Sequence, residues 1–154
     1  MPHLHEKIDL TVEVFIVHKE KVLLRKHDKY KLWLSIGGHV ELDEDPTQAA
    51  IREVKEEVGL SITLNDHLQD RHEHTERYQE LIPPRFLNRH RINEHHEHVC
   101  MVYFAYSDSD SIINQEEELS DEIRWFSLGD LESPELTENV RHYATCALKE
   151  TVIR

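Results

Sequence analysis

Residues 38–60, GHVELDEDPTQAAIREVKEEVGL, constrain this chain more than any other stretch. Glu53, Glu56 and Glu57 stand at i, i+3 and i+4, so a helix brings all three carboxylates to one side of its axis. The flanks support that helix. Asp45 can serve as N-cap, Pro46 suits the first helical position, and Gln48 falls where a capping-box partner would. Gly59 can close the far end in a left-handed conformation. At the helical period Ala50, Ile51, Val54 and Val58 gather on one side, and the three glutamates gather roughly 120° away. One face therefore expects a core and the other a site. Arg52 precedes Glu56 by one turn, where it can pair with it and hold the acidic row in register.

Like charges held this closely repel, and a helix gains nothing from them unless a cation sits among them. Hard divalent ions take oxygen ligands, and magnesium is usually held by a few carboxylates together with substrate phosphates. The plain alternative is a solvated acidic helix face, as most charge runs are. That alternative does not account for Glu44 or for the Gly37–Gly38 pair.

The segment resembles the Nudix box, G-x5-E-x7-R-E-U-x-E-E-x-G-U with U apolar. It matches at Gly38, Glu44, Arg52, Glu53, Val54, Glu56, Glu57, Gly59 and Leu60. Seven fixed identities coincide by chance about once in 10⁸–10⁹ start positions, so the match is a specific one. The resemblance implies an α/β (α+β) Nudix fold, a mixed sheet sandwiched between helices, with the box forming a loop-helix-loop. It also implies hydrolysis of a nucleoside diphosphate linked to another group, with Mg2+ or Mn2+ as cofactor. A homodimer is compatible with the resemblance, since many members of the family pair up. One departure stands out: family members often carry a proline before the glycine pair, and this chain has Ile36.

Length and charge agree with that reading. A chain of 154 residues is expected to form one domain and to bury about two-thirds of its unfolded surface. The formal charge of −13 disfavours binding to a nucleic-acid polymer, because little is left to neutralise a phosphate backbone. It would also repel a nucleotide unless metal ions intervened. Cys100 and Cys146 match no metal-ligand spacing; a disulfide between them stays open, but the pair fits a reducing cytoplasm better. The segment MPHLHEKIDL has no apolar signal core, and no stretch approaches the ~20 apolar residues of a membrane span. A cytoplasmic protein is expected.

Along the chain, residues 9–18 and 21–26 read as a hairpin, and 31–36 as a short strand leading into a Gly37–Gly38 turn. The box helix covers 46–58 and a strand follows at 60–64. Residues 65–97 are polar and rich in histidine, either an extended hairpin or a long loop over the site. Residues 98–106 and 122–127 read as strands, and 137–150 as a helix capped by Thr137 or the residue before it.

Outside the box, Arg25 ends the second strand with Lys26 and can meet substrate phosphates through its bidentate fork, or be a solvated strand end. Gly38 offers backbone that can approach metal or phosphate. Trp33, Trp125 and Phe126 fit the core, and Tyr30 is a weak candidate for base stacking. The resemblance implies one more acidic residue near the strand at 98, and Glu97 is preferred over Glu94. His90, His95, His96 and His98, with His72 and His74 upstream, could build a transition-metal site. Their spacing matches no zinc signature, which favours a polar loop near the active site.

The chemistry expected is metal-assisted hydrolysis of a pyrophosphate bond. Glu53, Glu56 and Glu57 bind the ion, with Glu44 and Glu97 contributing through water, and Glu44 joins Arg25 at the substrate. Glu53 is the first choice for general base and Glu97 the reserve; Arg52 orients a glutamate. A second reading keeps the fold but makes the domain a catalytically silent nucleotide binder or sensor.

Overall fold

The computed structural model describes residues 7–27, 30–113 and 122–151. The first six residues of the stretch read for a signal lie outside the described residues. Two long apolar runs give the fold its axis. The strand β1 (Ile8–His18) lies parallel to β7 (His96–Ser107), pairing Ile8 with Glu97 through Val17 with Tyr106. Its central residues Val14, Phe15, Ile16 and Val17 are all buried, as expected of a strand covered on both faces.

Around this pair the remaining strands complete a mixed sheet. On one flank β2 (Lys21–His27) pairs antiparallel with the end of β1, with β3 (Leu32–Leu34) and with β8 (Glu122–Phe126). The strand β4 (Ile36–His39) pairs with the first half of β1. On the other flank β5 (Ile62–Leu64) and β6 (Phe86–Asn93) both pair with β7.

Alternation along β1 sends its side chains to two cores. Val12, Val14 and Ile16 meet Ala50, Val54 and Val58 of α1 (Pro46–Val58), whereas Phe15 and Val17 meet Val140, Ala144 and Ala147 of α2 (Glu138–Glu150). A mixed sheet with a helix on each face is the expected sandwich. Trp33 and Phe126 lie in the α2-side core, edge to face at 4.9 Å, and Trp33 Nε1 donates to Glu135 at 3.0 Å. Trp125 packs against the other core while its Nε1 donates to the Asp110 carbonyl.

Both helices begin and end as their sequences dictate. The Asp45 side chain accepts from the Thr47 and Gln48 N–H groups, and the Asp45 N–H donates to Gln48 Oε1 at 3.0 Å. Gly59 closes α1 at φ 71°, its N–H donating to the Lys55 carbonyl. Thr137 caps α2 by accepting from the Val140 N–H.

Three local readings of the sequence are corrected. Gly37 and Gly38 form no turn; they are strand residues of β4, facing Glu13 and Val12. The chain can pass this close because Gly37 carries no Cβ; one would fall on the Val12 carbonyl. Ile51 is 47% exposed, and Ala49 and Glu57 take its place on the buried side of α1. That side is centred between Val54 and Glu57, and Ile51 falls about 60° beyond Val54. The histidine-rich segment divides. Residues 65–85 are mostly irregular, held at their end by Arg85, which grips Glu150 at 2.7 and 2.8 Å, and 86–107 form the hairpin β6–β7. The strand at 98 thus begins at His96, and several histidines lie on strands rather than in a loop.

Asp45 carries the whole start of α1, so Asp45→Ala is expected to destabilise the fold by about 1 kcal/mol. The thermal midpoint should then fall by about 2–4 °C in a circular-dichroism melt. An unchanged midpoint would show that the box helix does not depend on this cap.

Candidate active site

Arg52 is the hub of the box. On one side its Nε and Nη2 donate to the Glu44 carboxylate at 2.9 and 2.6 Å. Its Nη1 donates to Glu53 Oε1 and Glu56 Oε2, both at 3.0 Å, and Nη2 also reaches the His39 carbonyl at 3.0 Å. One planar cation therefore ties three carboxylates and the end of β4 into a single geometry. The Arg52 guanidinium holds the Glu44 carboxyl below the usual carboxylate range. Glu44 also accepts the Glu41 N–H at 3.0 Å, so in the structure it steadies the arginine.

Glu53 feels the opposite balance. Burial pushes its carboxyl up, and the attraction of Arg52 only partly offsets this. Its carboxylate lies against Gly38, where a Cβ would sit within 2.5–2.8 Å of Cδ and Oε2. Gly38 is thus a gap in the sheet into which Glu53 fits. The pairing of Gly38 with Glu53, rather than a turn, is what this glycine serves. Glu57 is 8% exposed and pairs with Arg25, its Oε2 lying 3.3 Å from Arg25 Nη1. Glu56 faces outward, at 59% side-chain exposure.

The donor chemistry fits a hard divalent ion. Glu53, Glu56 and Glu57 offer only carboxylate oxygens on one helix. Glu53 and Glu56 are engaged by Arg52 and Glu57 is buried against Arg25, though among the described residues their oxygens are not yet gathered as a ligand cluster. Beside Gly37 and Gly38 opens a cleft of about 260 Å³, whose lining includes Arg25, Glu13, His39 and His98. Arg25 thus reaches both the cleft and Glu57.

Glu97 is not brought to this group. It faces Ile8 across the sheet, whereas Gly38 faces Val12. Four residues along β1 and two strand spacings put them about 16 Å apart. Glu97 is instead held by Arg89 at 3.4 Å and Lys7 at 4.0 Å, and Glu94 lies exposed at the β6–β7 turn. Beginning two residues earlier than the sequence suggested, β7 carries this end past the box. Tyr30 is exposed and contacts the His27 ring, at 4.9 Å between centroids.

Glu13 was missed. Its carboxyl is pushed up by burial and hydrogen-bonds with Cys100, whose thiol burial pushes up to about 12. The signal was present: in β1 Glu13 shares the parity of the buried Phe15 and Val17, where a charge is out of place. Cys100 and Cys146 are both free thiols.

Comparison with known proteins agrees with this fold. A crystal structure of a NUDIX-family hydrolase from Clostridium perfringens superposes with a TM-score of 0.82 at 35% identity, covering 95% of this chain and 98% of that one. A MutT NUDIX hydrolase from Burkholderia pseudomallei gives 0.64 at 25% identity, covering 96% and 100%. Two shorter matches are to curated proteins. The CTP pyrophosphohydrolase of Escherichia coli (strain K12) is 36% identical over 61 residues, 37% of this chain and 45% of that protein. The dihydroneopterin triphosphate diphosphatase of Haemophilus influenzae is 43% identical over 44 residues, 29% of this chain and 28% of that protein. The chain thus aligns with less than half the length of either curated relative. The family description "NUDIX domain" matches residues 7–147, a span that takes in both cores, the cleft and the arginine-centred helix, and the chain belongs to the Nudix hydrolase family.

Proposed function

We propose that this chain is a Mg2+-dependent (or Mn2+-dependent) pyrophosphohydrolase that cleaves the diphosphate bond of a nucleoside diphosphate linked to another group. A nucleoside triphosphate or a nucleotide sugar suits it best. The observation that carries the reading is the engagement of Glu44, Glu53 and Glu56 by Arg52, with Glu57 buried against Arg25. A solvated acidic face would not bury Glu57 or shape Gly38 around Glu53. The curated relatives named above act on triphosphates by their names, which leans the substrate the same way.

Glu53, Glu56 and Glu57 would hold the ion. When bound, its contribution is to polarise the phosphoryl oxygens and to offset charge on the departing phosphate. The protein's own groups do the rest. The cleft beside Gly37–Gly38 receives the nucleotide, and Arg25 at its edge meets phosphate oxygens. Glu53 takes the proton of the attacking water. The water oxygen bonds to phosphorus as the anhydride P–O bond breaks, giving a nucleoside monophosphate and the remaining phosphorylated group. Arg52 touches no reacting atom; it fixes where Glu53 and Glu56 point. The two free thiols fit the cytoplasm, where such groups persist reduced.

Incubating the full chain and Glu57→Gln with Mg2+ and a panel of nucleoside triphosphates, pterin triphosphates and nucleotide sugars tests this, with products resolved by chromatography. The wild type should release monophosphate from at least one class, and Glu57→Gln should lose at least a hundredfold in kcat/KM. If both proteins bind nucleotides and neither turns any over, the silent-binder reading holds instead.

The two neighbouring glycines should separate by phenotype. Gly38→Ala displaces the Glu53 carboxylate and should lower kcat about a hundredfold while the melting point stays nearly level. Gly37→Ala collides with the Val12 carbonyl and should lower stability first. Matching effects from the two substitutions would contradict the assigned roles.

A further inference from the structure

On the face of the sheet that α2 also covers, four side chains from three strands meet. Asp9 comes from β1, His39 from the end of β4, and His96 and His98 from the start of β7. Register explains the meeting. Asp9 stands opposite His98, Thr11 stands opposite His39, and His96 and His98 share one face at i and i+2. The Asp9 Oδ2 lies 2.9 Å from His96 Nε2 and 3.4 Å from His39 Nε2. The His98 ring lies at right angles to its neighbours, 5.1 Å from His39 and 5.0 Å from His96. One ligand atom from each residue falls within 4.8 Å of all the others.

We propose that these four residues form a binding site for a zinc-class transition-metal ion, separate from the glutamates of α1. Three imidazoles and one carboxylate are the donors such ions prefer, and four is the number a closed tetrahedral site needs. At zinc–ligand lengths of about 2.0–2.2 Å, ligand atoms sit roughly 3.3 Å apart. The Asp9–His39 contact at 3.4 Å is close to that edge and the Asp9–His96 contact at 2.9 Å is shorter. All four ligand atoms lie within 4.8 Å of one another, so the group would close around an ion rather than form anew. Magnesium, which prefers oxygen, would be a poor occupant, whereas the box offers oxygen alone. The spacing Asp9, His39, His96, His98 resembles no zinc signature in sequence because the ligands come from three strands. The two centres adjoin: the His39 and His98 rings also line the cleft beside Gly37 and Gly38, and the His39 carbonyl accepts from Arg52. A bound ion would pin the end of β4 to β1 and β7 beside the box. The site does not depend on the hydrolase reading.

The test uses the untagged full chain with Zn2+ or Co2+ as the only probe, in millimolar Mg2+. About one equivalent of zinc should survive dialysis, and the Co2+ form should show the intense visible bands of a tetrahedral site. Zinc should raise the thermal midpoint by on the order of 5 °C. His96→Ala and His98→Ala, checked for folding by circular dichroism, should weaken zinc binding at least a hundredfold, and Glu56→Gln should leave it unchanged. Loss of all zinc on dialysis, a weak octahedral Co2+ spectrum, or displacement by Mg2+ would overturn the proposal. So would zinc binding that Glu56→Gln abolishes and the histidine variants spare. The cobalt spectrum of the wild type alone decides the matter if a variant fails to fold.

Discussion

The guanidinium of Arg52 is the interaction on which this site depends. Three carboxylates within reach of one another on a short stretch of chain would splay apart, and burial of Glu53 makes its charge costlier still. A single arginine resolves both problems because its fork presents several donors in one plane. Glu44 holds one side, Glu53 and Glu56 the other, and the His39 carbonyl anchors the group to the sheet. A lysine could not substitute, since a point charge on a flexible stem fixes no such geometry.

The sheet supplies the complementary shape. The parallel pairing of β1 and β7 sets the register for everything around it, and β4 then lays Gly38 against Val12. The missing Cβ at Gly38 leaves room for Glu53, and the missing Cβ at Gly37 lets the backbone approach the Val12 carbonyl. Paired strands thereby fix where a helix-borne carboxylate lies. Glu57 completes the arrangement from the buried side through Arg25. The ion pair has little solvent to screen it, which makes each partner dependent on the other.

Local features were legible wherever their cause was local. Asp45 and Gln48 form the expected capping box, Gly59 the expected left-handed cap, and Thr137 caps α2. Strands with continuous apolar runs fell where they were expected, because burial on both faces leaves that signature. Glu97 and the Gly37–Gly38 pair went differently. Whether two glycines turn or continue a strand depends on what lies beside them, and here that is Val12, some twenty-five residues earlier in the chain. Where Glu97 points depends on a ladder with Ile8. Glu13 shows an intermediate case, legible from its parity on β1 but conspicuous only once Cys100 and the cleft surround it.

The sequence by itself determined the family, the acidic helix and the arginine within it, because side-chain spacing along one helix is a property of local geometry. Tertiary structure alone decided which carboxylates are buried, which are engaged by cations, and which never reach the site. It also brought Asp9, His39, His96 and His98 to one place. The physical reason is the same in each instance: strand register brings together residues that lie far apart in the chain. No periodicity within a single segment carries that information.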